Sequence, residues 1–399
     1  MLCVRTYCAA FLRRSSTYTS SVSDDHASNI TYKERNDTNS NEQENQQTNS
    51  TFERVKRYAL LLSYHGANYL GIQYNAHGPT IEAELFSAFV KAGIVTQYDS
   101  KNPRFVLGYS RASRTDSGVS ALRQTVALNT SNQINVDEIN SYLPSDIRVL
   151  GFKKVIKSFD AQKWCDNRSY SYIMPSFAFC HWRKESNPRT SYRIDADTLT
   201  MANQIFKEFE GSHKFHNYTE KRDIWDSRSV RSIVSASISE PILYDNIEMV
   251  ALHIKGRSFM LHQIRRIVGM IIALMRGKAP FDFIHKSFNS PILPAPTAPS
   301  LGLMLEKQYF EGYNRIHGHQ NEPLIWDEYD EEVEKFKNEV VVPRIVQLEQ
   351  KENTMEDFLD DIRKHGFRVS EDSSKCIVIG DWEGLDLDEE DKKIIAKYQ

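Results

Sequence analysis

The sequence predicts an α+β fold of two ferredoxin-like (RRM-like) halves, and three observations predict it. Strand-length apolar runs and helix-period segments follow one another across residues 57–156 as strand, helix, strand, strand, helix, strand, which is the ferredoxin-like order. A second series of strand and helix signals begins at residue 168 and runs past residue 300. The composition, 40% hydrophobic and 26% charged, is that of a globular body, and 399 residues leave room for two halves plus appendages. The expected divisions are 1–55 as a leader and polar tract, 56–165 and 166–314 as the two halves, and 315–399 as an acidic extension.

Residues 1–23 contain Arg5, Arg13 and Arg14, seven Ser or Thr from Ser15 to Ser23, and no acid before Asp24. That signature predicts a mitochondrial transit segment; nuclear residence stays open beside it. The polar tract of Asn, Gln, Ser, Thr and Glu over 24–52 is too poor in apolar residues to bury a core. Order is expected from about Lys56. Residues 58–64 (YALLLSY) read as a strand, followed by a Gly-punctuated loop, 66–75, that carries Gln73. Thr80 caps a helix whose Ile81, Leu85, Ala88 and Phe89 share one face. Residues 105–107 and 125–128 are short apolar strands around a loop of small and polar residues. A helix over 136–143, stopped by Pro144, and a strand over 147–156 close the first series.

The second series begins with a strand over 168–175 that sets Tyr170 and Tyr172 on one face. A helix follows over 195–209, then a segment, 211–219, expected to be exposed. Lys221, Arg222, Arg228 and Arg231, interleaved with Tyr218 and Trp225, form a basic patch suited to phosphate contact and occasional base stacking. Two strands over 229–238 and 247–254 precede a helix reaching about Arg276, with Met260, Ile264, Ile267, Val268 and Ile271 as its core stripe. A short helix, 281–288, leads to a closing apolar segment over 297–305. Beyond residue 314 the chain turns acidic: 316–399 carry 23 Asp/Glu against 11 Lys/Arg, which leaves the body at +9 within a net charge of −3. A helix over 354–365 is expected on the surface of a solvated appendage.

No apolar run approaches the roughly 20 residues of a membrane-spanning helix, so no integral membrane protein is expected. The five cysteines lie apart with no CxxC spacing, which points to reduced thiols rather than a disulfide framework or a zinc site. His213 and His216 lack a third ligand of suitable spacing, so neither a metal nor any other cofactor is expected.

The chemistry-bearing stretch is 108–128, GYSRASRTDSGVSALRQTVAL. Asp116 is its one carboxylate, Gly118 supplies backbone freedom, and Arg111, Arg114 and Arg123 surround the acid in sequence, a cationic setting that favours its ionised form. Residues 113–121 (SRTDSGVSA) resemble the active-site loop of tRNA pseudouridine synthases of the TruA type. Four further segments carry the same resemblance. They are the Gly71-Ile72-Gln73 segment, the Arg-x-Tyr-x-Tyr of 168–172, and the 258–265 (SFMLHQIR) and 302–306 (GLMLE) stretches, which are similar to the eukaryotic branch.

The resemblance covers roughly 56–314. It implies one mixed, mainly antiparallel sheet flanked by helices, with an active-site cleft between the halves. It implies isomerisation of uridine to pseudouridine in tRNA, with other RNAs and the oligomeric state left open. Asp116 would be the catalytic carboxylate, Arg265 its ion-pair partner, and Tyr170 the residue at the target base. Arg114 would fill the gap left by the flipped uridine, and Leu303 and Leu305 would wall the pocket. Gln73, Arg111, Lys221, Arg222, Arg257 and His262 are the candidate RNA contacts. Two other classes remain. An RNA-binding protein on a retired synthase scaffold would lack the Asp, Tyr or Arg, and all three are present. A hydrolase or nuclease would commonly bring a second acid or a metal cluster.

Overall fold

A computed structural model of the chain describes residues 54–97, 103, 107–181, 191–290, 293, 295–364, 366–369 and 376–379. Nearly all of the expected leader and polar tract lies outside them. The described body is organised on one ten-stranded, mainly antiparallel sheet. Its strands are β1 (Lys56–Tyr64), β2 (Ser110–Arg111), β3 (Ser120–Thr130), β4 (Ile147–Val155), β5 (Asn167–Pro175), β6 (Gly211–Lys214), β7 (Val230–Ile238), β8 (Ile242–Tyr244), β9 (Ile247–Gly256) and β10 (Leu303–Tyr309). The spatial order is β4-β1-β3-β10-β5-β9-β7-β6, with β2 paired to β3 and β8 to β9. One junction is parallel: β10 meets β3 through Met304↔Ser120 and Leu305↔Ala121. That junction is where the two series of strands join.

Alternation along the strands gives the sheet two apolar faces, so both must be covered. Leu60, Leu62 and Tyr64 of β1 and Tyr170 and Tyr172 of β5 belong to the main core. The helices on that side include α1 (Ile81–Lys91), α2 (Val136–Ser141), α3 (Ala196–Lys207), α4 (Gln263–Met275) and α5 (Phe283–Asn289). The expected caps form: Thr80 Oγ1 accepts from Ala83 N at 3.2 Å, and Asp195 Oδ1 from Thr198 N at 2.7 Å. Ala59, Leu61 and Ala127 face the other way, against Phe310, Tyr313 and Trp326. Helix α6 (Glu311–His317) carries Tyr313 into that cluster.

The described part of the acidic extension, up to residue 364, departs from expectation, because it is not a solvated appendage. Helix α7 (Asp330–Phe336), a π-helical stretch (Lys337–Val341) and α8 (Val342–Glu352) bury Val333, Phe336, Val341, Val342, Ile345 and Val346 against Leu122, Ile173, Met249 and Met304 of the sheet. Helix α9 (Thr354–Lys364) adds Met355, Phe358, Leu359 and Ile362 to the main core. A net charge averaged over whole helices hides an apolar stripe on one face of each. A small hairpin, Gly366–Val369 with Cys376–Ile379, follows.

The segment after β6 also differs from its expectation of exposure. Phe215 and Tyr218 are 0% exposed and His216 and Asn217 are buried. His216 and Asn217 hydrogen-bond to carbonyls at the end of α5, Asn217 Nδ2 to Ser287 O at 2.8 Å. Phe209, Phe215, Tyr218 and Phe288 make a run of edge-to-face ring contacts there. Polar letters beside aromatics concealed an anchor for the loop that follows.

Candidate active site

Asp116 sits in the loop from β2 to β3, and that loop rests on the Gly-punctuated loop after β1. Thr115 O accepts from Ile72 N at 3.3 Å, and Tyr69 O accepts from Gly118 N at 3.1 Å. The Tyr64 and Thr115 hydroxyls are hydrogen-bonded at 2.8 Å. Gly71 has φ +93°, and a Cβ there would meet Thr115 O at 2.5 Å. Only glycine allows the two loops this approach. Gly118, at φ +80°, then turns the chain into β3.

Beneath the loop lies a buried polar network. Ser113 Oγ accepts from Arg168 Nε at 2.9 Å and from Gln308 Nε2 at 2.9 Å. Gln308 Nε2 also donates to Gln124 Oε1 at 2.7 Å, and its Oε1 accepts from Thr125 N at 2.8 Å. Gln124 Nε2 returns to Ser113 O at 2.9 Å. Arg168 Nη2 donates to Ala112 O at 2.9 Å. Strands β3, β5 and β10 thus hold the base of the Asp116 loop through satisfied polar bonds in a dry interior. Ser113 and Arg168 fall inside the quoted motifs but were given no anchoring role there, and Gln124 and Gln308 were not singled out, although Gln124 between apolar neighbours in a central strand signals a buried partner.

The Asp116 side chain is 32% exposed, open enough to meet a substrate. Tyr170 comes to it from β5 and Arg265 from the first turn of α4; both feel its charge. Burial pushes the Tyr170 phenol up to about 12, partly offset by Arg168 and Ser113, so it is the neutral phenol near pH 7. Its ring lies edge-on to Phe259, with centroids 5.3 Å apart. Burial also lowers the Arg265 guanidinium, opposed by Tyr172 and Asp116.

The expected Asp116–Arg265 ion pair is not closed in this structure. The Arg265 Nε donates instead to Ala298 O at 2.7 Å. Among the described ion-pair contacts the partner of Asp116 is the His262 imidazole, whose Nε2 lies 3.8 Å from Oδ2. His262 precedes α4 in a left-handed conformation, φ 59°, which aims its ring between two carboxylates. Its Nδ1 is 3.3 Å from Glu220 Oε1, and Arg266 Nη2 is 3.8 Å from the same oxygen.

A carboxylate, a buried tyrosine and a helix-borne arginine therefore converge from a loop, a strand and a helix far apart in sequence. A family model described as tRNA pseudouridine synthase matches residues 205–311. The chain is similar to the human Pseudouridylate synthase 1 homolog, 36% identical over 317 residues that cover 78% of this chain and 74% of that protein. The chain belongs to the pseudouridine synthase family. It is likewise similar to tRNA pseudouridine synthase 1 of Yarrowia lipolytica, 28% identical with 73% of this chain and 71% of that one covered. The same-named protein of Saccharomyces cerevisiae is 28% identical, with 70% and 66% covered.

The pseudouridine synthase keeps several sequence candidates busy elsewhere. Arg111 pairs with the buried Glu82, Nε to Oε1 at 2.6 Å, and its Nη1 donates to Gln73 Oε1 at 3.2 Å. Arg123 reaches Asp330 of α7 at 2.8 Å. Of the three arginines that surround Asp116 in sequence, Arg111 and Arg123 are therefore paired elsewhere, and Arg114 is exposed. Arg222 is bound to Asp226 at 2.5 Å, whereas the Lys221 and Arg257 side chains are exposed. Leu305 is 0% exposed in the main core, so it walls no open pocket here; Leu303, at 6%, shows only an edge. Among the described residues no group of three or more His, Cys, Asp or Glu is arranged to hold a metal, and no helix is long and apolar enough to cross a membrane.

Proposed function

We propose that this synthase isomerises uridines of tRNA with Asp116 as its catalytic carboxylate. The reaction breaks the C1′–N1 bond, turns the uracil, and forms C1′–C5. The C5 hydrogen leaves as a proton and N1 gains one, so no redox partner is consumed. An ionised Asp116 attacks C1′ or takes a ribose proton, and either route needs the carboxylate free when the uridine arrives. Arg265 swings from Ala298 O to the carboxylate as the site fills. Tyr170, neutral and packed on Phe259, lies against the flipped base and passes on the C5 proton. Arg114 occupies the vacated stack, which offsets part of the few kcal/mol that flipping costs. Arg257 and Lys221 meet phosphates, while Arg111, Gln73 and Arg222 hold the loops that approach the RNA.

The observation that carries this reading is the convergence of Asp116, Tyr170 and Arg265 at one partly open carboxylate. The same three residues argue against a retired scaffold. Strand orders β4-β1-β3-β2 and β10-β5-β9-β7 support two ferredoxin-like halves meeting at the β3–β10 junction, with 56–165 and 166–314 as their limits. The arginine- and serine-rich leader favours mitochondrial residence.

The test is tritium release from tRNA carrying 5-³H-uridine, since forming C1′–C5 must expel that hydrogen. Asp116→Asn is expected to abolish release while tRNA binding persists. Normal turnover by that variant would remove Asp116 from the mechanism. No release from the native chain, with binding intact, would favour an RNA-binding protein.

A further inference from the structure

We propose that Trp225 is a stacking platform for an unpaired RNA base a few nucleotides from the reacting uridine. The proposal rests on the RNA reading above and adds a binding residue to it. Trp225 is 86% exposed, the largest value among the exposed large hydrophobic side chains of the described residues. A tryptophan left this far in water buries little of its large apolar surface in the free protein and has that surface to offer to a ligand.

The loop around it is built to hold the ring out. Asp223 Oδ1 accepts from Trp225 N at 2.8 Å and from Asp226 N at 2.9 Å. The Asp226 carboxylate gathers Arg222 at 2.5 Å and Arg228 at 3.0 Å. Lys214 Nζ lies 5.8 Å from the centre of the indole ring. The loop backbone that carries the ring is thus already ordered before a flat partner docks. Residues 213–231 carry five Lys/Arg against three acids. Asp226 absorbs two of the arginines, while Lys214 near the ring and Lys221 on the same loop are exposed. An indole face with an ammonium group near it suits a base with its phosphate, because every base offers a π-face and the cation meets the backbone.

The loop is tied to the catalytic carboxylate at its near end. Thr219 Oγ1 donates to Leu261 O at 3.0 Å, Glu220 engages His262, and His262 faces Asp116. Trp225 follows Glu220 by five positions, so their Cα atoms lie within about 18 Å of each other. The buried rings of Phe215 and Tyr218 fix the root of the loop. A nucleotide strand bound at Asp116 therefore passes within reach of the indole.

The experiment compares the native chain, Trp225→Ala and Trp225→Phe in tritium release from whole tRNA, and repeats the binding measurement in Asp116→Asn protein over a salt series. Trp225→Ala is expected to raise KM, and Kd in the Asp116→Asn background, by roughly 5- to 150-fold, with kcat changed less than twofold. Trp225→Phe should recover most of the loss. The slope of log Kd against log salt should be the same for Trp225→Ala as for its parent, because stacking releases no counterions, whereas Lys221→Ala should flatten it. Unchanged KM and Kd in Trp225→Ala, the result expected if the ring serves a protein partner, would overturn the proposal. So would equal losses in the Phe and Ala variants. Failure of the synthase reading shows separately, as absent tritium release with the binding series still readable.

Discussion

Gln308→Leu tests whether the polar network beneath the Asp116 loop holds the Asp116 carboxylate in place. Gln308 is 3% exposed and makes three bonds, to Thr125 N, Ser113 Oγ and Gln124 Oε1. Leucine fills a similar volume and removes all three. Ser113 Oγ keeps Arg168, and Gln124 Oε1 keeps Ser113 N at 3.3 Å, so each retains a partner. The Thr125 N–H, on a residue that is 0% exposed, loses its acceptor. One stranded buried donor costs about 1–3 kcal/mol and the remaining lost bonds about 1 kcal/mol together, so stability should fall by about 2–4 kcal/mol. With an unfolding entropy of about 2.1 cal/mol/K per residue over roughly 300 ordered residues, Tm should drop by about 3–6 °C. Because Ser113 lies three residues before Asp116, the loop loses part of its footing, and kcat for tritium release should fall on the order of 10- to 100-fold. Calorimetry and initial rates on one preparation read both quantities. A variant that melts within a degree of the native chain and turns over normally would refute the reasoning.

Three further outcomes follow from the same contacts. Arg111→Ala strands the buried Glu82 carboxylate and should cost about 2–3 kcal/mol in denaturant unfolding while changing tRNA Kd less than threefold; a large affinity loss with normal stability would make Arg111 an RNA contact instead. Burial lowers the His65 imidazole to about 4, and its Nε2 has no hydrogen-bond partner. The unfolded chain therefore takes up the proton first as pH falls below about 6.5, so the stability His65 contributes is complete above that value and is lost toward pH 4, by about 2 kcal/mol between pH 7 and 5; His65→Gln should flatten that part of the pH profile, and identical profiles would remove His65 as its cause. Truncation after Gly318 uncovers Leu122, Ile173, Met249 and Met304, and light scattering should report aggregation; a soluble truncated chain with native Tm would mean the extension does not cover the sheet.

What the sequence by itself determined was the local and periodic part of this protein. Apolar alternation and cap residues located β1, β3, β4, β5, β7 and β9 and helices α1 to α5, since those signals act within a few residues, whereas β2, β6, β8, β10 and α6 were not read from them. The Asp116 loop, the Arg-x-Tyr-x-Tyr strand and the 258–265 stretch were legible because each is a run of specific residues in a fixed order that resembles a family motif. The tertiary structure decided which groups meet. Arg111 and Arg123 stand near Asp116 in the sequence yet turn to Glu82 and Asp330, while His262, 146 residues away, faces the carboxylate. The acidic extension reads as a solvated tail because net charge sums over all sides of a helix, whereas packing uses one. Its apolar stripe had meaning only once the second face of the sheet, bare in the sequence, was there to be covered.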